Sequence, residues 1–85
     1  MITTTPPKCA FGNNLYPGSV VYKDTGLFVV VNTNRDRNTV RIIRLSVDTP
    51  TANVGRGIEV KSSEVIATGD FNVKLINDEY IVTNK

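Results

Sequence analysis

The sequence contains no histidine, no tryptophan and a single cysteine. Without histidine there is no Ser-His or Cys-His nucleophile pair and no HExxH zinc site. One cysteine excludes an intramolecular disulfide, a CxxC redox pair and a four-cysteine zinc site. Long apolar runs are also missing. No stretch approaches the roughly 18 consecutive residues of a membrane helix, so no membrane association is expected. The opening residues, Met1 to Lys8, hold no apolar core of the signal-peptide kind. Together with the lone Cys9, this gives the expectation of a cytoplasmic protein, since small secreted domains usually carry paired cysteines. Good helix formers are scarce, with three Ala, four Leu and no Gln.

What is abundant is β-branched. Twelve Val, seven Ile and ten Thr make 29 of 85 residues. Such side chains are stiff at χ1 and fit a pleated surface better than a helix. An all-β fold follows. The length fits one small domain, which hides only about 60–65% of its unfolded surface and so has a thin core.

Residues 1–14 are rich in Thr, Pro and Asn without periodicity and read as a flexible arm. The domain proper is expected over 15–85. Pro17-Gly18 reads as a type II turn, because Pro presets φ and Gly accepts positive φ. Strands are expected at 19–23, 27–33, 39–47, 58–61 and 65–67. Phe28-Val29-Val30-Val31 is apolar on both faces, as in a strand that is covered twice or that bends. In the third strand Val40 and Ile42 share one parity, while Ile43, Leu45 and Val47 share the other. A bulge or bend within Arg41–Arg44 would turn all five inward and both arginines outward. Residues 48–57 read as a long loop, and Ser62–Val65 as a single 3₁₀ turn. Residues 71–75 and 80–82, around Asn77-Asp78, read as a C-terminal β-hairpin.

Five short strands, a long loop after the third and a 3₁₀ turn before the fifth match the order of SH3-like small barrels. Pro17-Gly18-Ser19-Val20-Val21, and later Gly57-Ile58-Glu59-Val60 with Val65, resemble the KOW-type subgroup found in transcription and translation factors. The resemblance covers about residues 16–68. The glycine-spaced turn of that subgroup is reduced here to Gly26. The resemblance implies a small, SH3-like, partly open β-barrel of about five strands, to which the C-terminal hairpin is an addition. It also implies a hydrophobic-basic strand that meets nucleic acid or polymerase.

All five arginines fall within 22 residues. Residues 35–61 carry a local charge of +3, and the other 58 residues carry −1. A hairpin tip bearing Arg35 and Arg37, beside a strand bearing Arg41 and Arg44, could follow a phosphate backbone. Arg56, set between Gly55 and Gly57, and Lys61 extend the set, and Tyr22 is a candidate for base stacking. The bland alternative is a solvated face with edge-blocking charge. The carboxylates are scattered over turns, and the adjacent Asp78-Glu79 would point to opposite strand faces. No catalysis, cofactor or metal is therefore expected. The leading expectation is a binding module for nucleic acid or a nucleic-acid machine such as polymerase or ribosome. The alternative is a protein-interaction or assembly module, whether subunit, regulator or viral accessory protein (then in the host cytoplasm). It would meet an acidic or edge-strand partner through an edge strand and apolar surface. Homo-oligomerisation is left open.

Overall fold

A computed structural model describes residues 6–24, 26–46, 51–53, 55 and 57–85. These residues form eight strands: β1 (Val20–Lys23), β2 (Gly26–Asn34), β3 (Thr39–Leu45), β4 (Thr51–Asn53), β5 (Ile58–Lys61), β6 (Ile66–Thr68), β7 (Phe71–Ile76) and β8 (Glu79–Asn84). A 3₁₀ turn, Ser62–Glu64, links β5 to β6. Among the described residues there is no α-helix, so none is long and apolar enough to cross a membrane.

The first sheet has the order β5-β3-β2-β1-β6, all antiparallel. β1, β2 and β3 form a meander, with β5 added beside β3 and β6 beside β1. The edges β5 and β6 are not paired to each other, so the barrel is open. The second sheet, β4-β8-β7, lies over one face. The expected C-terminal hairpin is β7–β8, but β8 is its centre. The loop expected at 48–57 contains β4, which pairs with β8 through Ala52 opposite Tyr80. The C-terminal strand is therefore not a free edge.

Each face of the first sheet is buried in its own core. Val21, Phe28, Val30, Val40 and Ile42 pack on one face with Cys9, Leu15 and Val65. Val20, Val29, Val31 and Leu45, with Ile43 at the margin, pack on the other against Ala52, Tyr80 and Val82. The apolar run in β2 is thus a strand covered twice. The same arrangement corrects the expected bend in β3. Val40 and Ile42 serve the first core, Ile43 and Leu45 the second, and β3 alternates regularly. Val47 lies outside the described residues. The irregularity sits across the ladder: Val30 pairs with Ile42 and Asn32 with Arg41, leaving Val31 as an extra residue on β2. Consequently Arg41 and Arg44 occupy opposite faces.

The segment expected as a flexible arm over 1–14 is described from Pro6 onward. From Pro7, which is fully buried, the chain packs against the first core. The Leu15 amide donates to the Pro7 carbonyl at 2.8 Å, and the Ala10 amide donates to the Val65 carbonyl at 2.9 Å. Cys9 and Leu15 plug the core from this segment, while Phe11 stays exposed. Burial pushes the Cys9 thiol up, but backbone hydrogen bonds from Ala67, Phe11, Asn13 and Gly12 outweigh it and hold the thiol below its usual 9.0. The turn at Pro17-Gly18 forms as expected: the Ser19 amide donates to the Tyr16 carbonyl at 2.9 Å, and Gly18 has φ +97.

Candidate nucleic-acid interface

At the β2–β3 hairpin tip, residues 32–39 belong to neither core. The tip is shaped by asparagines. The Asn34 side-chain oxygen accepts the amides of Asp36 at 3.1 Å and Arg37 at 3.3 Å, an Asx turn. Asn38 takes the left-handed conformation, φ 53, which asparagine tolerates well. The Ser62 amide donates to the Asn38 carbonyl at 2.8 Å and ties the tip to the 3₁₀ turn. Ser62 itself is buried and caps nothing with its side chain.

Beside this tip lies an open polar cleft of about 340 Å³. The bulge at Val31 sets its floor, because it brings Asn32 level with Arg41. Arg41 in turn stands opposite Glu59, and Thr39 opposite Lys61. Thr39 Oγ1 donates to Glu59 Oε2 at 2.8 Å. Thr33, Asn34, Arg35 and Asp36 complete the wall. The walls carry two arginines and two carboxylates, so the cleft alone is neutral. Arg37 and Lys61, both exposed, tilt its surroundings positive.

The structure divides the residues singled out in the sequence. Arg35 and Arg41 line the cleft. Arg37 sits on the tip, and Lys61 shares the Arg41 face by register. Arg35 Nε lies 4.0 Å from Asp36 Oδ1, an exposed contact of little strength. Among the described residues, Arg37, Arg41 and Lys61 have no ion-pair partner.

Arg44 is elsewhere. Its guanidinium carbon stands 5.5 Å from the Phe28 ring centroid on the opposite face, within cation–π range. Gly26 makes this possible, since a Cβ there would come within 2.8 Å of the Phe28 ring and 2.9 Å of Arg44 Nη2. Tyr22 is exposed but pairs with Leu27 and Ile66 at the far end of the sheet. It shares no surface with the cleft. Arg56 lies outside the described residues.

The sequence reading missed Asn32, Thr39 and Glu59. Only the β3–β5 register and the bulge bring them together, and polar residues near a turn carry no signal of that. Among the described residues no group of three or more His, Cys, Asp or Glu could hold a metal ion. Comparison with protein-family models, with curated proteins and with solved structures finds no match.

Proposed function

We propose that this protein is a non-catalytic binding module that engages nucleic acid, or a nucleic-acid machine such as polymerase or ribosome, through the β2–β3 hairpin tip. The observation that carries the reading is the exposure of Arg35, Arg37, Arg41 and Lys61 around one polar cleft, with no strong ion pair on any of them. Arginine forks and lysine ammonium groups suit phosphate oxygens. The Asn and Thr groups of the cleft add neutral donors and acceptors for sugar and phosphate. Likeness to KOW-type barrels favours the same strand, since β3 alternates apolar residues with Arg41. The module works in the cytoplasm, which suits the free Cys9.

The test is binding of single-stranded and duplex oligonucleotides at about 50 mM salt. Four cationic contacts imply a slope of log affinity against log salt of about −3 to −4. Sequence preference is not expected, because the cleft is not shaped to reach base edges in a groove. Absence of binding to either form at that salt removes the reading. A protein-interaction module then takes its place, favoured by the open edge of β7 and the exposed Leu75 beside it.

A further inference from the structure

The described edge strands differ in how well they are protected. β4 and β6 are three residues long, and β5 carries Glu59 and Lys61. Short and charged edges resist pairing with other chains. β7 is six residues long, carries the single charge of Lys74, contains no proline or bulge, and has an unpaired side.

The turn beyond β7 fixes which backbone groups that side offers. Asn77 and Asp78 have φ 51 and φ 62, the pattern of a type I′ turn. Such a turn makes Ile76 and Glu79 a hydrogen-bonded pair. By alternation, Lys74 with Ile81 and Asn72 with Thr83 are hydrogen-bonded too. The N–H and C=O groups of Phe71, Val73 and Leu75 therefore point away from β8. The side chains of these residues point the other relevant way, toward the second core: Phe71 and Val73 pack at its margin, and Leu75, opposite Tyr80, is left 55% exposed.

We infer that β7 pairs antiparallel with β7 of a second copy of this chain, about a two-fold axis through Val73. Only odd-numbered residues have free backbone groups, so the full-length symmetric register sets Val73 opposite Val73, Phe71 opposite Leu75 and Asn72 opposite Lys74. All three consequences favour a second copy. The outward hydrogen-bonding groups meet their equivalents. Leu75 gains Phe71 as a cross-strand apolar neighbour, extending the second core across the axis. On the outer face each Lys74 meets a neutral Asn72, so no like charges stand directly opposite. The result is a six-stranded sheet shared by two molecules, an isologous contact.

The register is tested by sedimentation equilibrium of the full chain from about 1 µM to about 1 mM. The wild type is expected to show a monomer–dimer equilibrium. Asn72→Lys, on the exposed outer face, sets a second lysine opposite Lys74 twice by symmetry. At low salt this raises the dissociation constant roughly two- to thirty-fold. Adding Lys74→Glu to that variant makes both pairs attractive and restores dimerisation. Leu75→Lys, at an exposed position, also weakens the dimer by leaving a charge beside Phe71. A monomer throughout the concentration range overturns the inference. So does a dimer indifferent to Asn72→Lys, or a loss that Lys74→Glu fails to rescue.

Discussion

Arg41 and Arg44 are three residues apart on one strand, are both exposed, and face opposite ways. Their replacement by alanine should separate stability from binding. Arg44 sits over Phe28 at 5.5 Å. A cation–π contact at an exposed site contributes about 0.5–1 kcal/mol. The arginine stem also shields Phe28, a residue only 9% exposed. Uncovering roughly 20–40 Å² of it costs about 0.5–1 kcal/mol more. Arg44→Ala should therefore destabilise the domain by about 1–2 kcal/mol. Arg41 lies in an open cleft, and its loss should stay within about 0.5 kcal/mol. With an m-value of about 1 kcal/mol/M in urea, Arg44→Ala lowers the midpoint by about 1–2 M and Arg41→Ala by less than about 0.5 M. Far-UV circular dichroism is the appropriate signal, as the chain has no tryptophan. In oligonucleotide titrations the roles reverse: Arg41→Ala takes about one unit from the salt slope, and Arg44→Ala leaves it unchanged. An Arg44→Ala variant that keeps its urea midpoint but loses salt slope would refute the assignment of Arg44 to the fold.

Leu15→Ala tests the packing of the 7–15 segment: a fully buried leucine should cost about 2–5 kcal/mol, a large share of the roughly 4–13 kcal/mol expected for a domain of this length, and an unchanged urea midpoint would return the segment to an unattached arm. Cys9 gives a pH signature. Its thiol is held below 9.0 in the folded state, so the thiolate contribution is fully present above the unfolded value and fades as pH falls through the lowered native value. The stability difference between wild type and Cys9→Ala should rise as pH climbs through the lowered native value toward the usual 9.0 and then level off, and urea midpoints that differ by a constant across that range would contradict it.

Much of the first sheet was legible because β-branched runs, turn residues and parity act locally. Phe28-Val29-Val30-Val31 already pointed to a strand covered twice or one that bends. Pro17-Gly18 and Asn77-Asp78 specify their turns through φ alone. What failed depended on non-local partners. In β3 the switch between Ile42 and Ile43 fits two structures equally, a bent strand facing one core or a straight strand between two. The second core decides between them, and it needs β4, whose Thr51-Ala52-Asn53 has no apolar pattern to announce it. Pro7, Cys9 and Leu15 lie in a segment whose composition resembles a loose arm, yet its own hydrogen bonds close it over the first core. The candidate site inherits these ambiguities. The arginine cluster was visible, but the facing of Arg41 and Arg44 depended on the parity that sequence left undecided.

The cover on both faces of the first sheet also explains where binding surface remains. Residues 7–15 with Val65 close one face, and β4, β7 and β8 close the other. A domain this small adds no further layer, so its ends, its edges and the outer face of the second sheet stay available. At the β2–β3 hairpin end the second core stops, and the residues there change from Val and Ile to Asn, Thr and Arg. The Val31 bulge marks that boundary. Before it, β2 alternates between two cores; after it, the parity flips, and Asn32 joins Arg41 at the cleft instead of leaving a valine in water. One extra residue in β2 thus ends the second core and begins the polar surface that the arginines line.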